Sequence, residues 1–396
     1  MAGKRVLTAR LVVDMIASED VHTSDGQLLF TEGTVLTEDI IEALKEHSVF
    51  AIRIKVGEDG VTPLIGEHVS EEGRIEIIEK PAENLEVDFA PKEPHLKVDV
   101  SEKNHYDAVR ETKEYQEFTE SFTKSVDHLK ESFSRAVVKN EEIDSEVILE
   151  NVQDVVSKSR NSLHILDMLQ CMKGYDDVTY VHSMNVALLS NVIGRLVVPK
   201  MSEEDLETLT LAGLLCDIGK MMIPDDILQK KERLTLPEMN VVKTHVLHGN
   251  NILQGMKLDP RIPEAAMRHH ERCDGSGYPG GYHMGQISRF SRIIAVADTY
   301  DAMTSDRPYR KAICPFEVIR MFEGDGRFKY DAEFFWPFLS TVVQSLLNTK
   351  VCLSTGETGT VVMMNTEELS KPLVRVGDTY HDLARERSIT IDRIAD

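Results

Sequence analysis

His269-His270-Glu271-Arg272-Cys273-Asp274-Gly275-Ser276-Gly277-Tyr278-Pro279-Gly280-Gly281 is the stretch around which the rest of the chain makes sense. Two adjacent histidines end a short helix opened by Pro263 and run into a turn with four glycines and a proline, residues that no helix interior or central strand tolerates. Two imidazoles therefore sit at the mouth of a rigid loop. Neutral imidazole is the commonest protein metal ligand, and a helix end beside a glycine-rich turn lets backbone N–H groups approach an anion. The pattern reads as a site for a metal and a phosphate. Taken alone, the pair serves equally well as a surface cap, so the remaining residues must decide.

The chain has 396 residues, long enough for two or three domains, with 41% apolar and 28% charged residues, as in an ordinary soluble globular protein. Its net charge of −22 and lack of a basic run argue against binding a nucleic-acid polymer. Five dispersed cysteines without a CxxC pair are no disulfide framework. No apolar run approaches the about 18 residues that span a bilayer, and Met1 to Arg5 lead into a segment holding Asp14 rather than a signal sequence. A cytoplasmic protein without membrane insertion is expected.

Working outward, residues 1–56 read as a small α+β domain. Val6, Leu11, Val12 and Val13 suggest a strand, Asp25-Gly26 a hairpin turn before Leu28 to Phe30, Thr37 the N-cap of a helix with Ile40, Ile41 and Leu44, and Val49 to Val56 a closing strand. Residues 57–104 turn acidic and proline-broken and read as a linker or extension, in which Ile75, Ile77 and Ile78 suit a short strand. Residues 105–140 form a connecting helix, with Phe118, Phe122, Val126, Leu129, Phe133 and Val137 in a heptad-like seam. That seam packs on the downstream core or on the same helix of a second copy in a homodimer. With few clean heptads, packing within the chain is favoured. Residues 141–345 are almost wholly helical by period, and 346–396 alternate as a short β appendage.

Inside the helical region His182 lies on an apolar helix, Cys216-Asp217 ends the run Leu211 to Leu215, His245 sits mid-helix after Pro237, and Asp298 interrupts Ile293 to Ala297. An aspartate on a strongly apolar helix is costly unless it is paired or coordinates a cation. Each residue singly is a satisfied core group; two such aspartates with four histidines point to metal. Mixed nitrogen and carboxylate donors suit Fe, Mn, Zn or Ni, and one carboxylate can bridge two ions. Lys220, three residues after Asp217, and Arg307 and Arg310 offer cations for a phosphate, although solvated surface arginines are the plainer reading of the last two.

These residues together resemble the HD-GYP family, the branch of the HD metal-dependent phosphohydrolases that hydrolyses cyclic di-GMP. The resemblance covers about residues 145–345 and rests on His-His-Glu-Arg-x-Asp-Gly-Ser-Gly-Tyr-Pro at 269–279, on Ala-Asp-x-Tyr-Asp-Ala-x-Thr-Ser-Asp-Arg-Pro-Tyr at 297–309, and on the order of His182, Asp217, His245, the His pair and Asp298. It implies a mainly α fold, an HD-type helical bundle, with the small N-terminal α+β domain and the C-terminal β appendage as typical attachments. It further implies two divalent ions, Fe, Mn or Zn, bridged by Asp217, with His182, Asp298 and position 216 on one and His245, His269 and His270 on the other. Asp217 and Lys220 become the catalytic pair, and Lys220, Arg307 and Arg310 hold the scissile phosphodiester. Asp274, Gly275 and Tyr278 join them in binding substrate, and the loop 275–279 shapes the pocket mouth and meets signalling partner proteins.

Two positions depart from the family. Its namesake pair is His-Asp, whereas Cys216-Asp217 stands here; a thiolate can ligate, since a metal lowers its pKa, and soft sulfur biases that ion toward Zn or Fe. A glutamate that ligates a third ion in some members is replaced by Val178, so two ions are expected. The activity implied is phosphodiesterase cleavage of cyclic di-GMP to pGpG or GMP through a binuclear metal-activated hydroxide. The rival is a catalytically weakened protein that serves as a cyclic di-GMP receptor or protein-interaction module.

Overall fold

The computed structural model describes residues 3–8, 11–22, 28–46, 51–57, 64–65, 80–81, 105–172, 178–197, 200–306 and 310–395. The chain divides into two compact units, Met1–Lys97 and Val98–Asp396. The first runs β1 (Gly3–Leu7), β2 (Val21–His22), β3 (Leu28–Phe30), α1 (Glu38–Glu46), β4 (Ala51–Lys55), β5 (Leu64–Ile65) and β6 (Lys80–Pro81).

β1 and β4 pair antiparallel with Val6 opposite Ile52, and the alternation of β4 buries Ile52 and Ile54. Met15, Leu36 and Leu44 complete this core. Thr37 caps α1, its Oγ1 accepting from the Ile40 N–H at 3.3 Å. The strand expected through Val13 stops earlier, at Leu7. Asp14 takes a left-handed φ of 74°, which breaks extension, and Ile16 and Ala17 instead form isolated bridges to Val35 and Ile54. The Asp25-Gly26 turn and Ile75, Ile77 and Ile78 lie outside the described residues.

The second unit contains α2 (His105–Arg110), α3 (Lys113–Lys139), α4 (Ser145–Ser157), α5 (Ser162–Cys171), α6 (Val178–Leu196), α7 (Glu203–Leu215), α8 (Asp225–Leu228), α9 (Leu236–Lys243), α10 (His245–Gln254), α11 (Arg261–Arg268), α12 (Arg289–Thr304), α13 (Pro315–Met321), α14 (Arg327–Lys329) and α15 (Ala332–Ser345). After them come β7 (Lys350–Leu353), β8 (Thr358–Met363), β9 (Leu373–Val376), β10 (Thr379–Asp382) and β11 (Ile391–Ile394). Thr112 caps α3, accepting from the Tyr115 N–H at 3.2 Å, and Asn140 ends it in the left-handed conformation. Phe118, Phe122, Val126, Leu129 and Phe133 are buried in the unit's main core, with Val137 packed at its edge. The seam thus faces this chain's own helices, α4 and α6 among them. Each fully buried phenylalanine contributes about 1.5–3 kcal/mol by removal from water.

α6, α7 and α12 carry apolar residues around most of their circumference, and helices of that kind are buried. They pack on one another at the centre. Polar groups on them are therefore carried into the interior. The C-terminal strands form an antiparallel sheet ordered β10-β9-β8-β7-β11. Val351, Leu353, Val361 and Val374 share one core with the helices, and Glu323 accepts from the Leu369 N–H and the Ser370 hydroxyl, each at 2.5 Å. The appendage is thus built into the bundle. Among the described residues no helix is long and apolar enough to cross a membrane.

Candidate metal centre

Asp217 stands where α7 gives way to a tight 3-10 turn over 218–222, and the turn points its carboxylate inward. Gly219 makes this possible. A Cβ there would come within 1.9 Å of the His245 carbonyl oxygen and 2.4 Å of the Gly249 nitrogen, so only glycine lets the turn rest on α10. The close approach brings His245 to Asp217.

Two groups of ligands share Asp217. One joins it to His245, His269 and His270; the other joins it to His182 and Asp298. Its two oxygens divide between them. Oδ1 lies 3.2 Å from His245 Nε2 and 3.6 Å from His269 Nε2, while Oδ2 lies 3.3 Å from His182 Nε2 and 2.5 Å from Lys220 Nζ. Asp298 Oδ1 is 3.0 Å from His182 Nε2, and its Oδ2 is 3.6 Å from His270 Nδ1.

Asp217 Oδ1, His245 Nε2 and His269 Nε2 are buried without a hydrogen-bond partner. Converging buried orphans are costly unless a cation completes them, and the donors fit a divalent ion. Burial holds His245 and His270 below the usual imidazole range, in the neutral form that ligates. Burial alone would raise Asp217, but Lys220 and the three imidazoles hold it well below the usual carboxylate range. Asp298 is likewise low, because His270 and His182 overcome its burial. Asp217 and Asp298 thus stand as carboxylate anions beside the neutral imidazoles of His245 and His270.

Cys216 was expected among the ligands of one ion. Its sulfur belongs to neither group, and Sγ bonds to the Gly213 carbonyl at 3.2 Å, one turn back on its own helix. Burial, then Asp217 and Asp298, push its thiol well above the ordinary range. Of the two arginines expected at the phosphate, one is among the described residues. The Arg310 guanidinium donates to the carbonyls of Ala302, Met303 and Lys311, closing the end of α12, and Arg307 lies outside the described residues. Among the described cations expected at the phosphate, Lys220 is the one beside the ligands.

The glycine loop meets the centre through rings. Tyr278 stacks on His270 with centroids 4.7 Å apart, and Lys243 Nζ lies 5.0 Å from the Tyr278 ring centre. Asp274 is exposed and turns back on Ser276, accepting from its N–H at 3.0 Å and its hydroxyl at 2.6 Å. Gly275 has φ 79°, where a side chain is strained.

Three residues that hold the centre carried no separate signal in the chain. Asp301 accepts from His182 Nδ1 at 2.5 Å and receives Asn185 Nδ2 at 2.8 Å. Glu271, 1% exposed, accepts from the Gly280 N–H at 2.6 Å and the Tyr282 N–H at 3.0 Å, tying the His pair to the loop. Arg272 donates to the His269 and Glu271 carbonyls and to Thr299 Oγ1 of α12. The spacing of Asp301 to Asp298, one helical turn on α12, was the one available cue for the first of these.

A helical bundle with a carboxylate shared by two histidine-containing groups is an arrangement that can hold divalent ions. Residues 165–334 match the family model described as an HD domain. It is similar to a cyclic di-GMP phosphodiesterase of Pseudomonas aeruginosa, 38% identical over 52% of this chain and 49% of that one. A cyclic di-GMP phosphodiesterase response regulator of Xanthomonas campestris pv. campestris is 45% identical over 28% of this chain and 30% of its own. A 3'3'-cGAMP-specific phosphodiesterase of Vibrio cholerae is 34% identical over 39% and 33%. The chain spans half or less of the length of these relatives.

Proposed function

We propose that this chain is a metal-dependent phosphodiesterase that hydrolyses cyclic di-GMP to pGpG, GMP or both. The observation that carries the reading is the buried Asp217 carboxylate, which presents one oxygen to each ligand group. Such a carboxylate suits the bridging of two divalent ions, and Fe, Mn or Zn accept the imidazole and carboxylate donors around it. When bound, the ions supply Lewis acidity that makes water nucleophilic near neutral pH and offsets charge on the phosphoryl oxygens.

His182 and Asp298 would hold one ion with Asp217, and His245, His269 and His270 the other. Lys220 keeps an ammonium beside the bridging carboxylate, placed to hold a phosphate oxygen as negative charge grows there. Tyr278, seated on His270, walls the mouth with an aromatic face suited to a purine base. Ser276 and Pro279 are exposed on the same loop, open to a signalling partner. A nucleotide second messenger as substrate also supports a cytoplasmic setting.

The receptor reading draws its motive from Cys216, yet both ligand groups assemble without the sulfur, which favours the enzyme. The test is hydrolysis of cyclic di-GMP beside 3'3'-cGAMP, run without oxygen on chain loaded with Fe, Mn or Zn. Turnover of cyclic di-GMP is expected. Nucleotide bound but uncut would move the chain to the receptor class, and cleavage of 3'3'-cGAMP alone would change the substrate.

A further inference from the structure

We infer that the two ligand groups around Asp217 hold unequal ions, one retained and nitrogen-rich, the other exchangeable and oxygen-rich. The inference rests on the phosphodiesterase reading only in that both groups take a divalent cation. The retained position is Asp217 with His245, His269 and His270, four residues of which three are imidazoles. The exchangeable one is Asp217 with His182 and Asp298, three residues of which two are carboxylates.

Ligand number and type separate the positions. Four protein donors close a tetrahedral site, whereas three leave coordination places to water. Imidazole-rich sets favour borderline ions such as Fe or Zn, while carboxylate-rich sets with open places accept Mn or Mg and release them readily. The smaller group is also the one facing the Lys220 ammonium, 2.5 Å from Asp217 Oδ2, so a cation already shares that oxygen. Like charge there weakens a second cation's hold.

Cys216 stands next to Asp217 and would be the natural fourth donor of the smaller group. Its Sγ is turned to the Gly213 carbonyl, and the residue is fully buried, so the group stays at three. The replacement of one side chain thus leaves the pair asymmetric.

The test is metal stoichiometry and affinity of the full chain, read independently of turnover. After loading and dialysis against a chelator, one ion per chain should remain. Added Mn, followed by electron paramagnetic resonance, should then bind a second position with a constant weaker by about tenfold or more. His182→Ala should remove the weak position and His269→Ala the retained one. Loading with cobalt should show no thiolate-to-cobalt charge-transfer band, and Cys216→Ala, which needs no extra room, should leave both constants unchanged. Two ions leaving together with one constant would overturn the inference, as would a thiolate band lost in Cys216→Ala. Those results would leave the phosphodiesterase reading standing. Failure to bind any ion under every condition would sink both.

Discussion

His182 Nδ1 and Asp301 Oδ2 lie 2.5 Å apart inside the bundle, and this pair determines which nitrogen of His182 faces the ligand group. A proton on Nδ1 given to the carboxylate leaves the Nε2 lone pair directed at Asp217 and Asp298. Asn185 and Ser305 hold the other carboxylate oxygen, at 2.8 and 3.0 Å. The aspartate is therefore fixed before it fixes the histidine.

Asp301→Asn should weaken ion binding at the His182 group by about 10- to 100-fold, the usual effect of losing a carboxylate behind a ligating histidine. Competition with a chromophoric chelator measures it. Binding at the His245 group should be unaltered, and loss at both groups alike would mean that Asp301 supports the bundle rather than His182.

Gly219→Ala should cost about 3 kcal/mol, the upper end for overpacking, because the atoms a Cβ would meet are backbone and cannot turn aside. Urea denaturation gives the number. Unchanged stability would show that the 218–222 turn can lift from α10.

Glu271→Gln replaces one acceptor oxygen by an amide that faces an N–H, so one of Gly280 and Tyr282 loses its partner, at a cost of about 1–3 kcal/mol. Faster hydrogen exchange confined to residues 275–283 is the expected result. Exchange that stays slow would show that the loop holds itself.

The cysteines separate by reactivity. Burial pushes Cys216 well up and Cys273 up to about 12, and only the thiolate reacts. In native protein at pH 8 both should resist iodoacetamide, and for Cys273 reaction should quicken as pH climbs toward about 12. Mass mapping against a denatured control decides, and equal labelling in both samples would refute the buried placement of Cys216 and the raised thiol of the half-buried Cys273.

Phe122→Ala should lower stability by about 3–5 kcal/mol, as core phenylalanine losses do, with no change of mass in light scattering. A halved mass at near-native stability would instead put the seam between two copies.

Much of the centre was legible because its residues violate local rules. Asp298 following Ile293 to Ala297, and Asp217 closing the run from Leu211, carry charge on apolar helices, which physics tolerates only with a partner. The α3 seam was legible for the converse reason, since its phenylalanines keep helical period. The partners of Arg310 were not legible, because an arginine's reach spans several acceptors and here it takes the end carbonyls of α12. The strand expected through Val13 ends at Leu7, and beyond the left-handed Asp14 the chain makes only isolated bridges, Ile16 to Val35 and Ala17 to Ile54.

What the sequence by itself determined is therefore the class of fold and most of the residues that converge around Asp217. Periodicity decides which faces are apolar, and a polar residue set on such a face must find a partner inside. Only the tertiary structure decided how those ligands divide, three with Asp217 on one side and two on the other, and that the Cys216 sulfur joins neither. It also placed Asp301 behind His182 and Glu271 beneath the loop. Such partnerships are matters of direction: a side chain's bond is fixed by the rotamer its neighbours allow, and those neighbours come together only when α6, α7, α10 and α12 have packed.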